Sequence, residues 1–179
     1  MEDTTVSIIG MIIAIILMFI VPLVIIADRS DDISQLTVGT LTADFVDNVI
    51  RVGKITGEDY SNFLTSLANS GNTYDVEIEV KILDENPARV ATDLDGNMGT
   101  MGQSLYYSIY TSQIEEQLRA DRGNEVILLK EGDIISVVAK NNSKTLSQAL
   151  KSIYYTIAGE DLHIISSTCT GTVAVNGIK

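Results

Sequence analysis

The run from Val6 to Ala27, VSIIGMIIAIILMFIVPLVIIA, holds 22 residues without one charged side chain. A helix needs about 20 residues to cross a hydrocarbon core of roughly 30 Å, so this run is long enough to span a membrane. It is apolar on every side, with no polar stripe to mark it as the surface helix of a soluble domain. No other stretch of the sequence approaches that length, which predicts one membrane helix at most. A secretory signal has a basic start, a shorter apolar core and small residues before its cleavage site. Here the start, MEDTT, is acidic, and Ile25 lies three residues before Asp28. The reading is therefore an N-terminal transmembrane anchor over residues 1–27 that is retained.

Pro22 lies inside the run and removes one backbone donor, which is expected to kink or loosen the helix locally. Ile12, Ile16, Phe19 and Leu23 recur at helical spacing on one face and, with Pro22, are the candidate helix-packing residues. Lipid contact is their simplest alternative role. That face lacks small residues, which argues against close GxxxG-type pairing.

Past the anchor the sequence changes character. The formal charge of −12 lies entirely outside the run. Nucleic acid and anionic lipid headgroups need basic surface, so neither is an expected partner. Cys169 is the only cysteine, which rules out an internal disulfide, and His163 is the only histidine, in the apolar setting LHIIS. Most metal and triad chemistries therefore lack parts. No glycine-rich phosphate loop or nucleophile elbow is present, so the expectation is a protein that is not an enzyme and carries no cofactor.

Val38, Leu41, Phe45, Val49 and Val52 recur at three- and four-residue steps, which predicts an amphipathic stalk helix over 28–52 continuing from the anchor. Residues 53–179 then read as one α+β domain with a mixed or antiparallel sheet and packed helices. Thr56 and Asp59 form a capping signal for a helix near 57–69, with Tyr60, Phe63, Leu64 and Leu67 on its apolar face and Gly71 as its stop. Strict alternation from Tyr74 to Ile82 predicts a strand with one wet, acidic face. SLYYSIY reads as a strand, and Ser112 and Glu115 suggest a capped helix over SQIEEQLRA. EVILLK and DIISVVAK flank Glu131-Gly132 and read as a hairpin. Leu146, Leu150, Ile153 and Tyr154 predict a helix ending near Gly159, followed by one or two closing strands in LHIISSTCTGTVAVNG.

Residues 84–103 have no periodicity and read as a long loop. Within it, Asp93, Asp95 and Asn97 look like the start of a calcium loop. The twelfth position, where an EF-hand needs an acidic residue, is Ser104, so the metal candidate stands against an ordinary turn.

Two stretches carry a resemblance: GKITGEDYSNFLTSLANSGNTYDVEIEV (Gly53–Val80) and KEGDIISVVAKNNSKTLSQAL (Lys130–Leu150). With the apolar and amphipathic helices before them, they resemble Gram-positive surface proteins related to the TadE-like minor pilins of tight-adherence pilus systems. The resemblance implies a single-span, extracytoplasmic-domain protein of export and assembly machinery related to type IV pili, with no catalytic residues. It implies a home in the bacterial cell membrane and contacts with other pilin-like subunits or assembly proteins, as a homo- or hetero-oligomer. The pattern departs from a type IV prepilin in two places. The leader is acidic, and cleavage after Gly10 would put Ile15 where a prepilin has Glu. Arg29 is the one base near the span, and by the positive-inside rule it favours the opposite orientation. The alternative reading is a membrane-anchored accessory domain that does not polymerise and binds a ligand or partner through loop 84–103.

Overall fold

The computed structural model describes residues 2–84, 106–119, 126–150, 152 and 164–178. Its dominant element is one α-helix, α1, from Glu2 to Val52. Anchor and stalk are thus a single unbroken helix, and it runs through Pro22. The rest is β1 (Lys54–Thr56), α2 (Gly57–Ala68), β2 (Tyr74–Leu83), β3 (Tyr106–Tyr110), α3 (Thr111–Arg119), β4 (Val126–Leu128), β5 (Ile134–Asn141) and β6 (Ser166–Thr172). The architecture is α+β: a long apolar N-terminal helix joined to a small antiparallel sheet domain.

Four antiparallel strands form the main sheet in the order β3-β2-β5-β6. In β2 the alternation read from the sequence sets the faces. Ile78 and Val80 are buried with Ile135, Val137 and Ala139 of β5, while Asp75 and Glu77 are exposed. Each such aliphatic side chain contributes about 1.5–3 kcal/mol on full burial. The C-terminal half of α1 lies on this apolar face. Val38, Phe45, Val46 and Val49 are buried in the same core as Ile78 and Val137. The segment read as a stalk is therefore a wall of the domain. Ile50 sits where a Cβ on Gly171 of β6 would have to be, so the helix approaches the sheet as closely as a glycine permits.

Helix α2 starts as its capping signal requires. Thr56 Oγ1 accepts the Asp59 amide at 3.0 Å and donates to the Asp59 carboxylate at 2.6 Å. Tyr60, Phe63 and Leu67 are its buried side chains, and Phe63 stacks on Phe45 of α1 with ring centroids 4.6 Å apart. Helix α3 begins at Thr111, one residue before the expected cap. The side chain that reaches back is Gln113, whose Oε1 accepts the Tyr110 amide at 3.0 Å.

The expected hairpin of EVILLK with DIISVVAK is not formed. The turn at Glu131-Gly132 exists, but β4 pairs with β1 in a separate two-stranded sheet, Lys54↔Leu128 to Thr56↔Val126. β5 pairs instead with β2 and β6. Asp133 directs this split. Its buried carboxylate accepts the Lys130 amide at 2.8 Å and the Leu83 amide at 2.9 Å, turning the chain away from β4 and tying it to the end of β2. Among the described residues the tail forms one closing strand, β6. Residues 146–150 and 152 are helical, whereas Ile153, Tyr154 and Gly159 lie outside the described residues.

Candidate functional site: the bare face of helix α1

Two halves of α1 differ in what surrounds them. From Thr4 through Ile26 every side chain except half-buried Val24 is exposed, and the helix is long and apolar enough to cross a membrane by length and composition. The candidate packing residues Ile12, Ile16, Phe19, Pro22 and Leu23 all lie in this half, and all are exposed. From Ala27 onward one side of the helix is buried by the domain.

The changeover is fixed by hydrogen bonds. Asp28 accepts from the Ser147 hydroxyl, and Asp31 accepts from Thr145 Oγ1 at 2.7 Å. Thr145 and Ser147 are both buried, so these carboxylates hold the 145–150 segment against the helix just past the apolar run. One turn further on, Gln35 acts as a short strand. Its Oε1 accepts the Ser166 amide at 3.0 Å and its Nε2 donates to the Ser166 carbonyl at 2.6 Å. Ile50 takes the Ala174 amide on its carbonyl at 3.2 Å. α1 is thus fastened to the sheet domain at several points along its second half, and the bare half projects from a rigid base.

A second surface feature is a concavity of about 460 Å³ lined by Glu77, Glu79, Tyr110, Thr111, Ser112 and Ser136, among others. Glu79 is already engaged there by Ser108, whose Oγ donates at 2.8 Å. Thr111 Oγ1 is engaged too, accepting the Ile78 amide at 2.7 Å. Sequence reading passed over this surface, because its residues come from three strands and a helix start.

Among the described residues no three His, Cys, Asp or Glu side chains converge in a way that would hold a metal. Asp93, Asp95 and Asn97, the rest of loop 84–103 beyond Asp84, Ser104 and His163 lie outside the described residues. Cys169 is half-buried on β6 and packs against the core. No protein-family model matches the chain, and neither does any curated protein or solved structure.

Proposed function

We propose that this chain is a pilin-like structural or assembly subunit of a type IV-like, tight-adherence surface filament. In this reading α1 anchors it in the bacterial cell membrane, the domain faces outward, and the apolar helix packs against helices of other subunits. One observation carries the reading: a single unbroken helix is half domain core and half bare apolar rod. A simple tether does not require the anchoring helix to be part of the domain core. A helix built rigidly into its domain instead fixes where the domain points when the bare half is packed. That coupling is what an ordered polymer requires, with lateral helix packing in its interior and acidic domains on its surface.

Electron microscopy of sheared cell-surface material with an antibody to the domain tests the reading. Labelled filaments are the expected result. Recovery of the chain only as membrane-bound monomers would sink it. The 460 Å³ concavity favours a second reading, an anchored accessory domain that binds a partner without polymerising. Under that reading the same preparation holds no labelled filaments, and mutations around Glu77 abolish function while changes on α1 do not.

A further inference from the structure

β2 is longer than the strand beside it. β3 pairs with it only from Glu79 to Leu83, because the chain leaves the sheet at Tyr110 and Thr111 to start α3. Thr111 Oγ1 closes the next position, accepting the Ile78 amide at 2.7 Å and donating to the Ile78 carbonyl at 3.3 Å. Past Ile78 this edge of β2 is open. The Thr73 carbonyl turns toward the β5 side, where it accepts the Asn142 amide. Backbone direction alternates along a strand, so Tyr74 and Val76 turn their N–H and C=O groups the other way, as Ile78 does. Those groups have no hydrogen-bond partner among the described residues. A strand edge of this kind is a template for another strand.

The 460 Å³ concavity opens beside this edge, on the wet face of the sheet. Glu77, Glu79 and Tyr110 line it, and no Lys or Arg is among its lining residues. Glu79 is engaged by Ser108 and lies 3.8 Å from Lys81. Glu77 is exposed, and its carboxylate has no partner among the described residues. Asp75, next on the same face, is exposed as well. An open strand edge, a hollow and an unpaired carboxylate thus meet at one place.

We propose that the open edge of β2 from Tyr74 to Val76 and this concavity together bind an extended peptide segment of another protein, with the pattern basic–apolar–basic. Added as a strand about 4.8 Å from β2, the segment hydrogen-bonds to Tyr74 and Val76. The residues flanking the one opposite Val76 lie across from Asp75 and Glu77 on the wet face. Opposite charges facing each other across a strand pair are favourable, so both flanking residues are Lys or Arg. The one opposite Glu77 reaches the concavity, where the Tyr110 ring is available to a cation. The residue between them points to the side of Val76, which packs against the core, and is apolar. A second copy of the chain does not supply this pattern, because no two of its 12 Lys and Arg residues stand two positions apart. The inference assigns a partner chemistry to the concavity and holds whether or not the chain polymerises.

Fluorescence anisotropy with the full chain in non-ionic detergent tests this. The probe is a labelled peptide, Ser-Lys-Val-Lys-Ser. It is set against Ser-Lys-Lys-Val-Ser, of the same composition, and against the first peptide N-methylated at its valine, which cannot donate to the Val76 carbonyl. The expected result is saturable binding of the first peptide, several-fold tighter than of either other. Glu77→Lys is expected to weaken that binding several-fold. Glu131→Lys makes the same charge change in the turn beside Leu83, at the other end of β2, and is expected to leave binding unchanged. Both side chains are exposed, so both variants are expected to melt as the parent does. Equal binding of the three peptides, equal loss in the two variants, or no saturation up to millimolar peptide overturns the inference. None of these outcomes bears on whether filaments form, which the microscopy decides separately.

Discussion

Tyr60 joins α2 to α3 through one hydrogen bond, its hydroxyl donating to Glu115 Oε1 at 2.8 Å. Burial raises its phenol pKa above the ordinary value, and the hydrogen bond and charge of Glu115 raise it further. A raised folded-state pKa means the fold favours the neutral phenol. The stability it lends is fully present below the unfolded value of about 10 and is lost as pH climbs from there toward the folded value. Tyr60→Phe is expected to cost about 1 kcal/mol at neutral pH. It should also flatten the fall in melting temperature above pH 10, which thermal melts across that range would reveal. Asp133 is the more consequential residue, because two backbone amides lose their acceptor if it is truncated. Asp133→Ala is expected to cost about 1–3 kcal/mol and to speed hydrogen exchange at Leu83 and Lys130. Its role left no trace in the sequence, where it reads as one more acid in an acidic chain. Thr56 and Asp59 were legible, since a cap is a local pattern.

Elements with their own period were readable, and elements defined by a distant partner were not. β2 shows its two faces in its alternation, and α2 shows its buried stripe and its start. β1 is three residues long, Lys54–Thr56, with too little length to display any period. β4 was therefore given the neighbour next to it in the chain, β5, when its true partner lies about 70 residues upstream. For α1 the reading went wrong at the second half in a different way. Periodic apolar residues say that one face is covered but not by what, so a core helix and a stalk look alike. Phe45 tests the core assignment directly, being buried and stacked on Phe63. Phe45→Ala is expected to cost about 3–5 kcal/mol, enough to unfold a marginal domain. A stalk residue in water would cost almost nothing, so a denaturant titration separates the two roles.

At the scale of the whole molecule, the question is where the folding unit begins. The core takes Val38, Phe45, Val46 and Val49 from α1, while the described side chains before Ala27 give it none. Starting the chain at Ala27 keeps every one of these side chains, along with the Asp28, Asp31 and Gln35 hydrogen bonds. That fragment is expected to be a water-soluble domain with a single cooperative thermal transition. Starting at Gly53 removes an apolar wall from the sheet and leaves Ile78, Val80, Ile135 and Val137 uncovered. At about 1.5–3 kcal/mol for each side chain returned to water, the loss is comparable to the roughly 5–15 kcal/mol that holds a typical domain together. The 53–179 fragment is therefore expected to show no transition and to aggregate. Circular dichroism melts of the two fragments decide the point. A folded 53–179 fragment would mean that α1 is dispensable to the domain. The rigid coupling between bare helix and sheet, on which the filament reading depends, would then be lost. A folded 27–179 fragment with an unfolded 53–179 fragment would show that the second half of α1 is part of the folding unit and that its bare first half is not.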